Sequence, residues 1–159
     1  MNTNPFVLLT SLAALAAAAA SGMMYVFSTF VMRGLDRTGP VEAITAMRGI
    51  NVVANSNAPF LLAYFGATVL ALVVGVMAVL RIGQPGSRWV LAGAVVSVLA
   101  AIITMAFNVP LNNHLDTVDL AGAAREWHAY MSSWTAWNHV RTAASIVGSA
   151  LMVAGLQYS

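Results

Sequence analysis

The chain contains no cysteine and no lysine, and only five of its 159 residues are acidic. Without cysteine there is no thiol redox chemistry, no iron–sulfur cluster and no thiolate-ligated haem. Disulfides therefore report nothing about the compartment. The seven arginines leave a net charge of +2, too small and too scattered for a nucleic-acid surface. There is no Gly-rich phosphate loop, no GxSxG or HExxH element and no carboxylate pair inside an apolar stretch. Nucleotide use, serine-nucleophile hydrolysis, zinc proteolysis and acid-coupled ion pumping are set aside on that ground.

Charged residues make up 8% of the chain, where soluble domains hold about 25%. Hydrophobic residues make up 60%, and the mean hydropathy is +0.80. This composition describes an integral membrane protein. Residues 6–32, 58–80, 89–107 and 140–158 are apolar stretches, each matching the roughly 20 residues that cross a hydrocarbon core of about 30 Å. The expected fold is all-α, an integral membrane four-helix bundle over residues 1–159 as a single transmembrane domain, with short amphipathic helices in the first and third loops. The first stretch lacks a charged start and stays apolar beyond its small residues, so it reads as a retained helix rather than a cleaved signal. An Ala- and Arg-rich chain without lysine suggests a bacterial cytoplasmic membrane. The arginine count by loop leaves orientation open, because Arg48 and Arg141 are candidates to face inward, and self-association is left open too.

Local signals place the ends of the elements. Asn4 with Pro5, and Asn57 with Pro59, suit a helix cap and first turn. Pro40 suits the first turn of an amphipathic segment from Val41 to about Asn55, with Val41, Ile44, Met47 and Ile50 or Val52 on its apolar face and Glu42, Arg48 and Asn51 more polar. Pro85 and Gly86 mark a tight hairpin. The second stretch has no charge and reads as scaffold. Pro110, between Asn108 and Asn112, is expected to bend or end the third helix, making that segment a pocket wall. A loop from Asp116 to Arg125 leads into a helix starting near Asp119.

The richest stretch runs from Trp127 to Arg141. At about 100° per residue, Trp127, Tyr130, Trp134, Asn138 and Arg141 share one helical stripe, continued by Ser145, Gly148 and Met152. An arginine inside a span costs about 2.5–3.5 kcal/mol on insertion scales, so Arg141 is expected to face the interior and meet an anion or carbonyls; snorkelling outward is the alternative. His128 and His139 share a face about 120° from Arg141 and sit roughly 16 Å apart along the helix, too far to ligate one metal together. His114 is free to join either. No metal is assigned from this pattern; the metal reading would use His114 with His128 or His139, and a haem would need one of the same histidines. On the first helix Ser28 and Tyr25 are candidates for ligand contact or for bonds between helices. Asn51 is a candidate for ligand contact or for turn chemistry. Trp127 and Trp134 suit stacking on a flat ring, whereas Trp137 fits the membrane interface.

The segment Phe27-Ser28-Thr29-Phe30-Val31-Met32 followed by Met47-Arg48-Gly49-Ile50-Asn51, the element Asn108-Val109-Pro110-Leu111-Asn112-Asn113, and Trp134 with Trp137-Asn138-His139-Val140-Arg141-Thr142 resemble the anthrone oxygenase-like family. The resemblance runs in order over nearly the whole chain. It implies a membrane oxygenase for polyketide anthrones that converts a ring methylene to a quinone carbonyl with O2 as co-substrate, without an established need for flavin or haem. Arg141 would then stabilise the substrate anion, and His139 or His114 would take the proton. Asn108, Asn112 and Asn138 would orient oxygens, and Trp127 and Trp134 would stack on the rings, in a pocket at the bundle mouth. Two other readings stay open: a non-catalytic module or accessory subunit that binds quinone, haem or lipid, and a His-ligated metal redox protein.

Overall fold

The computed structural model describes residues 4–158, and all regular structure among them is helical. Asn4 Oδ1 accepts from the Phe6 amide at 3.1 Å, with Pro5 at the first helical position, and so satisfies an amide that has no partner inside the helix. Helix α1 (Pro5–Val26) passes through a π turn (Phe27–Val31) into α2 (Met32–Asp36). Gly39 follows with φ of 100°, which glycine takes without steric penalty, and the chain enters α3 (Pro40–Ser56). Asn57 Oδ1 accepts from Phe60 at 2.9 Å and starts α4 (Ala58–Leu80). Next come α5 (Ser87–Ile103), a π turn (Thr104–Asn108), α6 (Val109–Thr117), a 3-10 turn (Leu120–Gly122) and α7 (Ala123–Leu156). Among the described residues four continuous runs are long and apolar enough to cross a membrane: Pro5–Asp36, Ala58–Leu80, Ser87–Thr117 and Leu120–Leu156. The protein is a helical membrane bundle.

Pro110 does not end its helix. The Val109 amide bonds back to Thr104 O, five residues earlier, and this widened turn gives the proline ring room where an α turn would clash. The expected loop from Asp116 to Arg125 shrinks accordingly. α6 extends the third run to Thr117, and α7 starts at Ala123 after one 3-10 turn that Asp119 caps through Ala121. α6 is the short helix of that region, continuous with the third run. At about 1.5 Å per residue, the 34 residues of α7 exceed a hydrocarbon core of about 30 Å. The first turns of α7 therefore stand in a head region outside the core.

Packing follows two small-residue contacts. The alanines Ala13, Ala14, Ala17 and Ala20 of α1 are buried, and glycines let α5 and α7 touch by their backbones, since a Cβ on Gly93 would lie 2.6 Å from Gly148 O. In the head, α3 packs Ile44 and Met47 on Met32, Leu115, Trp127 and Tyr130. The expected apolar face is buried at Ile44 and Met47 with Ile50 packed beside them, but Val41 is 40% and Val52 66% exposed, whereas Asn51 is 5% exposed. The polar amide faces inward and the valines face out, an arrangement suited to a helix lying against lipid.

Arg48 fastens this cap. Its Nε donates to Leu115 O at 2.9 Å and its Nη2 to Val118 O at 2.7 Å, carbonyls at the end of α6 that lack partners inside the helix. Charged hydrogen bonds contribute about 1.5–3 kcal/mol each. Arg48→Ala should therefore speed amide exchange across residues 40–56 by at least about tenfold, because one such bond exceeds the roughly 1.4 kcal/mol that a tenfold change represents. Exchange in α5 should stay unchanged. Equal protection of α3 in both proteins would show that the cap is held by its apolar contacts alone.

Candidate functional site

The face of α7 that bears Trp127, Tyr130, Trp134, Asn138, Arg141, Ser145, Gly148 and Met152 is its buried face. Close approach of α5 brings the Thr104–Asn108 turn against the middle of that face. Asn108 Nδ2 donates to Trp134 O at 3.1 Å, and Arg141 Nη1 donates to Thr104 Oγ1 at 3.2 Å.

Arg141 is 5% exposed. Its Nε and Nη2 both donate to Asn138 Oδ1, at 3.0 and 2.8 Å, and its Cζ lies 5.2 Å from the Trp134 ring centre. Asn138 is held in turn, its Nδ2 donating to Met24 O at 2.9 Å and Ser28 Oγ at 2.7 Å, which fixes its oxygen toward the guanidinium. The ion pairs among the described residues all involve Glu126, with His114 and with Arg125. Arg141 thus meets only neutral groups, Asn138, Thr104 and Tyr64. A buried charge without a counter-ion is costly, and what it lacks is an anion.

Arg141 lines a cavity of ≈ 110 Å³, below the roughly 300–1,000 Å³ of sites that enclose a whole drug-sized ligand, so a flat ligand would enter it only in part. Tyr64 and Thr104 stand beside the guanidinium, Trp134, Phe27 and Met24 form a wall, and Met47, Ile50 and Asn51 of α3 form the roof. Asn112 also lines it, and its Oδ1 accepts from Tyr130 Oη at 2.8 Å. Asn51 Nδ2 is buried without a hydrogen-bond partner. The mouth lies between the end of α3 and the start of α4, where the lining residues Asn55 and Phe65 are exposed. Tyr64 is six residues into α4, about 9 Å from its start. The guanidinium therefore lies near the membrane boundary rather than at mid-bilayer.

Asn51, Asn112, Trp134 and Arg141 meet in this cavity, and Asn138, Ser28, Tyr130 and Asn108 support it from behind. Trp127 does not line it: its Nε1 donates to Asp36 Oδ1 at 2.9 Å in the head. Tyr25 is 55% exposed and faces away, because the buried face of α1 runs through Ala17, Ala20, Ser21 and Met24 and the π turn then sets the chain back so that Ser28 and Met32 rejoin it. His139 and His114, the candidates to take the substrate proton, do not line the cavity. His128 and His139 line a separate outer groove with Asp36, and His114 is exposed, 3.4 Å from Glu126. No three His, Asp or Glu side chains converge among the described residues. Tyr64 and Thr104 were missed by the sequence reading. The available signal was that Tyr64 and Thr68, one turn apart, are the only hydroxyl pair of their kind on an otherwise apolar span, beside Ala67 and Ala71.

A family model described as anthrone oxygenase matches residues 60–151, more than half of the chain and inclusive of Tyr64, Thr104, Asn112, Trp134, Asn138 and Arg141. No curated protein and no solved structure matches the chain.

Proposed function

The chain belongs to the anthrone oxygenase family, and we propose that it acts as a membrane oxygenase, using O2 to convert the ring methylene of a flat hydrophobic aromatic such as an anthrone into a carbonyl. The observation that carries this reading is Arg141: a buried guanidinium without a counter-ion, facing a small, mostly apolar cavity that opens between α3 and α4. An anthrone that loses a methylene proton becomes an anion whose charge spreads to its ring oxygen. The Arg141 guanidinium would bind that oxygen, with Asn51 Nδ2 as a second donor at the roof. Fixed donors at developing charge are worth about 2.7–4 kcal/mol each in a site shielded from water. Trp134 and Phe27, with ring centres 5.6 Å apart, supply aromatic surface for the ligand. The anion is electron-rich enough to reduce O2 directly. In sum the methylene and O2 give the ketone and water. The mouth near the membrane boundary suits a substrate dissolved in lipid.

The test is anthrone consumption and O2 uptake by purified protein in lipid nanodiscs. Uptake of one O2 per anthrone, faster than the spontaneous reaction, is expected. Quinone binding without turnover would favour a non-catalytic binding module instead. His139→Ala and His114→Ala should keep turnover within about twofold, as exposed side chains away from a site rarely shift energies by more than about 0.5 kcal/mol. A large loss in either would return the proton to a histidine.

A further inference from the structure

Building on the oxygenase reading, we propose that Tyr64 is the residue that moves protons in the oxygenation, first as acid and then as base. Apart from Arg141, which stays charged, Tyr64 is the cavity-lining residue able to exchange a proton. Tyr130 stands behind, with its hydroxyl committed to Asn112.

The hydrogen bonds around Tyr64 fix its direction. Thr104 Oγ1 has one hydrogen, which goes to Ala100 O at 2.9 Å, and it accepts from Arg141 Nη1 at 3.2 Å. With the Thr104 hydrogen on Ala100 O, the Tyr64 hydroxyl bonded to Thr104 Oγ1 is the donor in that pair. Its proton is held one atom away from the guanidinium. A phenolate formed there would have positive charge beside it. On its other side Tyr64 borders a small void with Thr68, Ser97 and Ser145, where Ser97 Oγ lacks a partner. Hydroxyls there can receive the water formed.

The chemistry balances with Tyr64 alone. The substrate binds as its ring anion, its first proton having left through the mouth. Electron transfer to O2 and recombination form a C–O bond and a peroxide anion on the former methylene carbon. Tyr64 gives its proton to the distal oxygen, leaving a hydroperoxide and a phenolate. The phenolate then takes the remaining hydrogen of that carbon, the C=O bond forms, the O–O bond breaks and hydroxide departs. Hydroxide with the first proton makes water, and Tyr64 ends as it began.

The experiment is Tyr64→Phe in nanodiscs, read by kcat, by rapid-quench mass spectrometry for a substrate hydroperoxide, and by thermal midpoint. The ring should stay packed between Phe60 and Phe65, at centre distances of 6.2 and 5.4 Å. A kcat at least about a hundredfold lower, the lower end of acid–base contributions, is expected together with accumulated hydroperoxide and an unchanged midpoint. A folded Tyr64→Phe with wild-type kcat and no hydroperoxide overturns the role of Tyr64 while leaving the oxygenase reading intact. Wild-type protein no faster than the spontaneous reaction overturns both. If Tyr64→Phe does not fold, Thr104→Val decides: a smaller loss of kcat with some hydroperoxide supports the role, and full kcat without it overturns it.

Discussion

Arg141→Met should lose at least a hundredfold in anthrone turnover while its thermal midpoint stays within a few degrees of the wild type. The two halves have separate physical origins. Losing a fixed donor to developing negative charge costs about 10²–10³ in rate, and Arg141 is the only cationic side chain lining the cavity. On stability, opposing terms nearly cancel. Burial of a guanidinium with no counter-ion carries an effective penalty of several kcal/mol, which methionine removes while keeping an unbranched chain of similar reach. Against this, Asn138 Oδ1 loses both of its donors, at about 1–3 kcal/mol for a buried unsatisfied group. Thr104 keeps its bonds to Ala100 and Tyr64. Arg141→Lys should fall between, because a single ammonium cannot hold Asn138 through two N–H groups and reach Thr104 as well. Steady-state rates with thermal melts of the three proteins decide it. A methionine variant that turns over normally, or one that unfolds, would make Arg141 a structural residue.

The fold was legible because membrane-crossing length and helical periodicity leave few choices. All eight residues of the α7 stripe are buried, since an interval of three or four residues admits one inward face and the outward face must be tolerated by lipid or water. Helix caps at Asn4 and Asn57 followed from the local chemistry of an amide next to a proline. The same periodicity contained the correction for the histidines: an offset of about 120° from a buried arginine already aims a side chain out of a bundle. What drew attention to them was their chemistry, not their phase.

Other parts of the site were hidden for physical reasons. A π turn is one extra residue in a helical run, with little mark in composition, yet two of them re-aim the chain where it meets Asn138 and Arg141. Pro110 signalled a disturbance, but whether a helix stops, bends or widens depends on the helices packed against it. Tyr64 lies on a span whose remaining residues look like scaffold, and its role arises only because α5 places Thr104 between it and Arg141. Asn51 fitted ligand contact and turn chemistry equally, because a single amide on an amphipathic helix suits both. Its place on α3 beside the buried Met47 turns it onto the cavity, whereas Glu42 of the same helix is exposed.

Gly93→Ala should be among the most destabilising single-methyl changes in the chain, at about 3 kcal/mol, the upper range for overpacking. Its Cβ would sit 2.6 Å from Gly148 O and 2.8 Å from Met152 N. Both are backbone atoms of a helix, which no rotamer change can move. Relief requires α5 and α7 to separate, and the reciprocal contacts at Gly148 and Gly155 against Gly93 O and Gly86 O, both 2.9 Å, loosen with them. The Thr104 to Arg141 bond lies further along the same interface, so activity should fall with stability. Gly66→Ala is the control: an added Cβ there meets nothing within 4 Å, and alanine favours the helix by about 0.8–1.0 kcal/mol over glycine. Thermal melts in one detergent should therefore separate the two variants in opposite directions. A Gly93→Ala protein as stable as the wild type would mean that these helices pack with slack, and that the close approach assembling Thr104, Asn108, Trp134 and Arg141 is not set by glycine.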